Sequence, residues 1–229
     1  MSIGRRDFFK VISAGAVTAA AAGSVFAREK KTLAPEAVGI LYDATLCIGC
    51  KNCERGCKEY NDMPIEQTDR VDDLNVPKIW DNSDDLTSKT LNKIKLYRNG
   101  DASTKDREID GYSFVKRACM HCVDPDCVSA CPVTALSKDG VTGIVTYDEK
   151  ACIGCRYCQV ACPFNIPKFE WDEPFPKIVK CQMCEHKQEE GGIPGCCYYC
   201  PTGASMFGKV EDLLDEAHRR IQLTEGTYY

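Results

Sequence analysis

The chain has 229 residues, a formal net charge of −5 and a hydrophobic fraction of 44%. The acidic balance excludes a typical nucleic-acid-binding surface, and the hydrophobic fraction excludes an intrinsically disordered chain. Seventeen cysteines, together with 17 Gly and 11 Pro, predict a loop-rich α+β fold with a core built partly around cofactors.

The first predicted element is an export signal at residues 1–27. Arg5 and Arg6 precede an Ala-rich apolar stretch that ends at the small-residue site Val25-Phe26-Ala27. This pattern is typical of a secretory signal, and the arginine pair makes it twin-arginine in type. A retained membrane anchor is the alternative, although the run is shorter than the roughly 20 residues of a spanning helix. We therefore expect a periplasmic protein with no direct membrane span after signal removal.

Sixteen of the cysteines fall into four groups along residues 28–229. Groups one and three are compact, and groups two and four have a longer gap between their second and third cysteines. In chain order the groups are Cys47, Cys50, Cys53 and Cys57; Cys119, Cys122, Cys127 and Cys131; Cys152, Cys155, Cys158 and Cys162; and Cys181, Cys184, Cys196 and Cys200.

An internal repeat supports this grouping. The run before and within group one, Tyr42-Asp43-x3-Cys47-Ile48-Gly49-Cys50, recurs in group three as Tyr147-Asp148-x3-Cys152-Ile153-Gly154-Cys155. Each copy follows a short strand pattern. The order along the chain is therefore compact, stretched, compact, stretched.

The spacing favours iron–sulfur chemistry over zinc or disulfides. The run C-x2-C-x2-C-x3-C-P is that of bacterial ferredoxins, in which three cysteines hold one [4Fe-4S] cluster and the fourth holds another. Structural zinc usually takes cysteine pairs separated by a long gap. Two cysteines separated by two residues rarely form a comfortable disulfide. We expect a helix to begin at the x3 step, with the proline in its first turn.

Loop lengths predict how the groups pair. Groups two and three are separated by 21 positions, Cys131 to Cys152, a gap typical of the two halves of one ferredoxin unit, whereas groups one and two are separated by 62. Groups two and three therefore form an expected inner unit, residues 112–170. Group one then pairs with group four in an outer unit, residues 36–60 plus 177–209. The expected architecture is thus two pseudo-symmetric, bacterial-ferredoxin-like units, each binding two [4Fe-4S] clusters.

Exchange of the fourth ligand within each pair predicts the iron ligands of four clusters, which we label A to D. The expected sets are Cys47, Cys50, Cys53 and Cys200 for A; Cys119, Cys122, Cys127 and Cys162 for B; Cys152, Cys155, Cys158 and Cys131 for C; and Cys181, Cys184, Cys196 and Cys57 for D. Cys197 is then expected to be free. The alternative, in which Cys197 is the ligand and Cys196 is free, stays open.

Three further features each carry two interpretations. Residues 61–111 form an insertion that either docks a partner or is a variable surface excursion. His121 lies between two predicted ligands, and it either tunes a cluster by donating to a sulfur or is simply packed or solvent-facing. Apolar residues at helical spacing predict a C-terminal helix over residues 210–223, either capping the core or binding a partner.

Motifs around the cysteines resemble those of four-cluster ferredoxin subunits of periplasmic respiratory enzymes. The quoted words are Cys119-Met120-His121-Cys122, Cys155-Arg156-Tyr157-Cys158, Cys162-Pro163-Phe164-Asn165-Ile166-Pro167 and Gly192-Ile193-Pro194-Gly195-Cys196. They resemble most the HybA-type subunits of membrane-associated [NiFe] hydrogenases, and the Cys-Pro-Phe-Asn-Ile-Pro word also resembles formate dehydrogenase beta subunits.

The resemblance implies an electron-transfer subunit that is not an enzyme on its own. The implied partners are an exported catalytic subunit, a [NiFe] hydrogenase small subunit by preference, and a membrane quinone-linked protein or cytochrome. No nucleotide-binding or flavin motif and no paired acid–base carboxylates are present, so we expect no catalytic residues. The alternatives are a beta subunit of a formate dehydrogenase or another molybdopterin oxidoreductase, and a redox-silent, metal-stabilised scaffold.

Overall fold

The computed structural model describes residues 31–65 and 84–223. The predicted signal at residues 1–27 lies outside the described residues. Contacts divide the chain into residues 1–32 and a compact unit from Leu33 to Tyr229. All the secondary-structure elements described below belong to that second unit.

The described chain is a loop-rich mixture of short helices and strands, as the composition predicts. The helices are α1 (Asn52–Tyr60), α2 (Asp126–Ser129), α3 (Tyr157–Ala161), α4 (Glu185–Glu189), α5 (Gly195–Tyr198) and α6 (Val210–Leu223). The strands are β1 (Val38–Tyr42), β2 (Lys93–Arg98), β3 (Thr104–Lys105), β4 (Gly111–Arg117), β5 (Leu136–Lys138), β6 (Val145–Tyr147), β7 (Lys168–Phe169), β8 (Ile178–Val179) and β9 (Ser205–Lys209).

Two small antiparallel sheets tie compact cysteine groups to stretched ones. Strand β1 pairs with β9, with Tyr42 opposite Ser205. Strand β5 pairs with β6, with Leu136 opposite Tyr147. In both sheets the tyrosine lies five residues before a compact group, and its partner lies five residues after the last cysteine of a stretched group. The register therefore brings group one to group four, and group three to group two.

The short helices that carry cysteines also pack in pairs, α1 against α5 and α2 against α3. The first contact is close because glycine is present on both sides. A Cβ atom added to Gly56 would lie 2.7 Å from the carbonyl oxygen of Gly195, and one added to Gly195 would lie 2.4 Å from that of Gly56. A larger residue at either position would push the two helices apart.

The position of the proline differs from the expectation. Helix α3 ends at Ala161, with Cys162 as its C-cap, so the helix precedes the last cysteine and Pro163 follows it. Helices α2 and α5 likewise precede the last cysteine of their groups. The physical reason is that proline cannot continue a helix and is common just after its C-cap.

The described part of the insertion builds a wall of the core. Strands β2, β4 and β3 form one sheet, antiparallel between β2 and β4 and parallel between β4 and β3. Ile94 and Phe114 from this sheet are buried in one cluster with Cys47 and Cys53. A Cβ atom on Gly49 would lie 2.4 Å from the Phe114 ring. A purely surface excursion does not account for these strands.

Helix α6 covers the outer face of the β1–β9 sheet. Leu213 is its buried residue, and it lies against the glycines of both strands, Gly39 and Gly208. Arg220 anchors the far end, with an ion pair of 2.9 Å to the buried carboxylate of Asp43. This packing favours the capping interpretation of the helix. No helix among the described residues has the length and apolarity needed to cross a membrane.

Candidate metal centres

Four thiols from two distant groups line one cavity, which we call site A. Cys47, Cys50 and Cys53 come from the loop before α1 and its first turn, and Cys200 comes from the end of group four. Cys47 and Cys53 are buried, whereas Cys50 is exposed. The backbone N–H of Ser205 donates to the Cys200 sulfur at 3.4 Å. A soft, sulfur-lined cavity of this kind suits thiolate-bound metal.

Site C is a second cavity, and the elements around it correspond to those around site A. Cys152, Cys155 and Cys158 line it together with Cys131 from group two. The backbone N–H of Gly154 donates to the Cys152 sulfur at 3.4 Å. The fourth thiol again comes from the partner group, as the ferredoxin-like exchange predicts.

Site D brings the last cysteine of group one to group four. Burial raises the pKa of the Cys57 thiol, and the charges of three neighbouring thiols raise it further: Cys181, Cys196 and Cys184. The side-chain amide of Asn61 lies 3.6 Å from the Cys184 sulfur. These four thiols are the set predicted for cluster D.

Site B completes the arrangement. Burial raises the pKa of the Cys127 thiol, and neighbouring thiols raise it further: Cys119, Cys162 and Cys122. Here the crossing thiol is Cys162, the last cysteine of group three. The thiols of sets A and C thus line two cavities, and those of sets B and D are close enough for their charges to affect one another.

The donor chemistry of these sites fits [4Fe-4S] clusters. All seventeen cysteines are free thiols, and each set offers four sulfurs, some of which accept backbone N–H bonds. Among the described residues, no three His, Cys, Asp or Glu side chains converge on the position of a single ion. A cube takes one thiolate on each of its four irons, so its ligands are not required to converge on one point.

The four sites are neighbours in a definite order, A–D–B–C. At each of the three junctions, one thiol from either site lies within electrostatic reach of the other. The neighbouring pairs are Cys53 and Cys196, Cys181 and Cys119, and Cys158 and Cys127.

A lysine that sequence reasoning missed lies between sites A and D. The ammonium of Lys116 donates to Ser205 Oγ at 3.0 Å. Burial lowers the pKa of Lys116, but the charges of Cys196 and Cys53 outweigh this effect and raise it above the usual value. The available signal was weak: strand alternation places Lys116 on the same face of β4 as Phe114.

Cys197 is buried beside site D and is not among the three thiols named above as neighbours of Cys57. The two adjacent thiols interact, which lowers the pKa of Cys196 and raises that of Cys197. Cys57 has Cys196 among its neighbouring thiols. This placement favours the interpretation in which Cys196 is the ligand and Cys197 is free.

His121 is buried, so the solvent-facing interpretation is wrong. It is 8% exposed, and its Nδ1 accepts the backbone N–H of Val145 at 3.0 Å. Burial, and then the charges of Lys180 and Lys138, lower the pKa of its imidazole to about 3. Because Nδ1 accepts this bond, it carries no proton.

Comparison with known proteins agrees with this chemistry. The profile of the 4Fe-4S dicluster domain family matches residues 111–210. The chain is 44% identical to the Hydrogenase-2 operon protein HybA of Escherichia coli O157:H7, over 98% of this chain and 68% of that protein. It is 34% identical to the iron-sulfur subunit of the nitrate-inducible formate dehydrogenase of Escherichia coli K12, over 84% of this chain and 61% of that protein.

Proposed function

Because this chain belongs to the HybA-type family of iron–sulfur electron-transfer subunits, we propose that it carries electrons through four [4Fe-4S] clusters. The observation that carries the proposal is the gathering of sixteen thiols into four sets of four, each completed by a cysteine from another group. The cysteines are electron-path ligands and not catalytic residues. Two pseudo-symmetric units, A with D and B with C, make up the proposed arrangement.

Each cluster, when bound, supplies one-electron chemistry with a potential set by charge, hydrogen bonds and exposure. The chain's own residues hold the sites in the row A–D–B–C. At the A–D and B–C junctions the thiols come from paired helices, so the helix pairing fixes the separation of these neighbouring sites. The Gly56–Gly195 contact keeps α1 and α5 close, which keeps site A next to site D.

The two ends of the row are the proposed docking points for redox partners. At site A, Ile48 is 60% exposed beside the exposed Cys50. At site C, Ile153 and Tyr157 are 65% and 59% exposed. Exposed apolar side chains around a redox site are what a transient protein interface needs. One end then contacts an exported catalytic subunit, by preference a [NiFe] hydrogenase small subunit, and the other a membrane quinone-linked protein or a cytochrome.

The proposed location is the periplasm, reached by the twin-arginine route. Adjacent Arg5 and Arg6 before the apolar stretch support this route. That pathway carries folded proteins, so the clusters would be inserted before export. Attachment to the membrane is then through partners.

Gene deletion tests this function. Deletion should abolish hydrogen-dependent quinone reduction by membranes and leave hydrogen oxidation with an artificial dye largely intact, because the dye bypasses the electron path. Complementation with the unaltered gene should restore quinone reduction, whereas a Cys57→Ser gene should not. Persistence of quinone reduction in the deletion strain would contradict the proposal.

A second function is favoured by the 34% identity to the formate dehydrogenase iron-sulfur subunit. If deletion spares both hydrogen activities and abolishes formate oxidation by the quinone pool, the partner is a formate dehydrogenase or another molybdopterin oxidoreductase. If cluster-loaded protein takes up no electrons from dithionite, the redox-silent scaffold applies instead.

A further inference from the structure

The buried histidine between the first two cysteines of group two has an unused hydrogen-bond donor. His121 Nδ1 accepts the backbone N–H of Val145 at 3.0 Å, so this nitrogen carries no proton. The ring proton is therefore on Nε2. That atom is buried and has no hydrogen-bond partner among the described residues. An unsatisfied buried donor costs about 1–3 kcal/mol, so an acceptor is expected.

The surrounding contacts hold this ring in place. His121 has a φ of 44°, in the left-handed region, which is uncommon for residues other than glycine. The Lys138 ammonium donates to the Cys122 carbonyl at 2.8 Å and to the Gly143 carbonyl at 2.9 Å. The loop from Cys119 to Cys122 is thereby tied to the turn that precedes β6. A fixed loop with a fixed tautomer presents its free N–H in one direction.

We propose that His121 Nε2–H donates a hydrogen bond to a sulfur of the cluster held by Cys119, Cys122, Cys127 and Cys162. Both flanking ligands, Cys119 and Cys122, belong to this set, so the loop that carries His121 wraps site B. The proposal rests on the assignment of cluster B made above. Cluster sulfurs are good acceptors, and hydrogen bonds to them help to set the reduction potential.

The expected consequence is a raised potential for cluster B. A donor stabilises the reduced cluster more than the oxidised one, because the reduced cluster carries the extra negative charge. His121 is thus a positioning and tuning residue that acts on the electron path at its third site. It makes electron transfer from site D to site B more favourable.

Two substitutions separate the donor from the packing role. His121→Asn keeps an acceptor near the Nδ1 position for Val145 N–H and tolerates positive φ, but it removes the Nε2 donor. His121→Gln places an amide donor near the Nε2 position and gives up the Nδ1 acceptor. Iron and sulfide content of each purified variant shows first whether all clusters are present. A low iron content in the wild-type protein itself would count against the proposed function and not against this inference.

The readout is an EPR-monitored redox titration of each cluster. His121→Asn should lower the potential of cluster B alone, by roughly tenfold in the reduction equilibrium, or 59 mV for one electron. His121→Gln should stay near the wild-type potential while its thermal stability falls. Unchanged potentials in a fully loaded His121→Asn protein would overturn the proposal.

A spectroscopic measurement on the unaltered chain covers the case in which the variants fail to fold. The chain has three histidines, so labelling with 15N-histidine leaves few sources of signal. Pulsed EPR of the reduced, labelled wild type should show a 15N coupling to one cluster. Absence of any coupling would contradict the hydrogen bond, as would a coupling confined to the signals of clusters A, C or D.

Discussion

Sites A and C share a cysteine spacing and differ in what surrounds it. Each contains a left-handed residue before its helix, Lys51 at A and Arg156 at C. Lys51 is buried, whereas the Arg156 guanidinium lies over the Trp171 ring at 4.8 Å from its centroid. The repeated loop therefore buries its cationic side chain at site A and leaves it exposed at site C.

An aromatic side chain covers the repeated Cys-Ile-Gly-Cys turn at both sites, and it lies closer to the turn at site A. A Cβ atom on Gly49 would lie 2.4 Å from Phe114, whereas one on Gly154 would lie 3.6 Å from Phe169. Phe114 is buried and comes from β4, which pairs with strand β2 of the insertion; Phe169 is half-buried and comes from β7. The difference teaches that the insertion encloses one end of a repeated framework, so the two end clusters should differ in potential and in stability.

The largest expected effect comes from removing the crossing thiols. Cys200→Ser should remove cluster A, and Cys131→Ser should remove cluster C, so that iron falls from about 16 to about 12 per chain in each. The EPR signal lost in Cys200→Ser should be the one lost in Cys47→Ser, and not the one lost in Cys181→Ser. Cys197→Ser is the matched control and should keep every signal. Loss of the same signal in Cys200→Ser and Cys181→Ser would show that the fourth ligand does not cross.

Truncating the two aromatic covers should separate the ends in stability. Phe114→Ala should cost about 3–5 kcal/mol, the range for a buried phenylalanine, because it also uncovers the Gly49 turn. Phe169→Ala should cost clearly less, since the ring is already half-exposed. Thermal unfolding of the two cluster-loaded variants measures the difference. Equal losses would mean that the inserted sheet does not enclose site A more tightly.

A smaller effect is expected from the cation between sites A and D. Lys116→Met removes a positive charge that stabilises the reduced, more negative clusters. The potentials of clusters A and D should fall by about 59 mV, tenfold in the reduction equilibrium, with cluster C unchanged. Lys95→Met, on the neighbouring strand beside Asp85, is the control and should leave all potentials in place. A uniform fall in all four potentials would assign the effect to net charge instead.

Local sequence predicted what local geometry controls. The repeat that contains Tyr42 and Tyr147 predicted a strand before each compact group. About five residues of local pattern are enough to predict that the chain enters such a loop as a strand. The cysteine spacing also groups the same thiols that lie near one another in the structure. Pairing of groups two and three rested on a gap of 21 positions between them, against 62 between groups one and two, since short connections favour neighbours in space.

Long-range packing was out of reach of that reasoning. Nothing in the sequence of β4 showed that Phe114 and Lys116 face site A and the A–D junction, because the cysteines and Ser205 that they approach lie more than 60 residues away along the chain. The burial of His121 depends on Val145, from a different strand. The prediction for the proline was wrong because proline is common both in the first turn of a helix and just after its last turn. Cysteine spacing does not distinguish these two positions.

The central claim, four [4Fe-4S] clusters in one chain, is tested most directly by metal and sulfide analysis. The full chain, purified without oxygen, should contain about 16 iron and 16 acid-labile sulfide per polypeptide, and its broad visible absorbance should bleach with dithionite. Zinc without acid-labile sulfide would contradict the account, as would a fully folded protein with about eight iron.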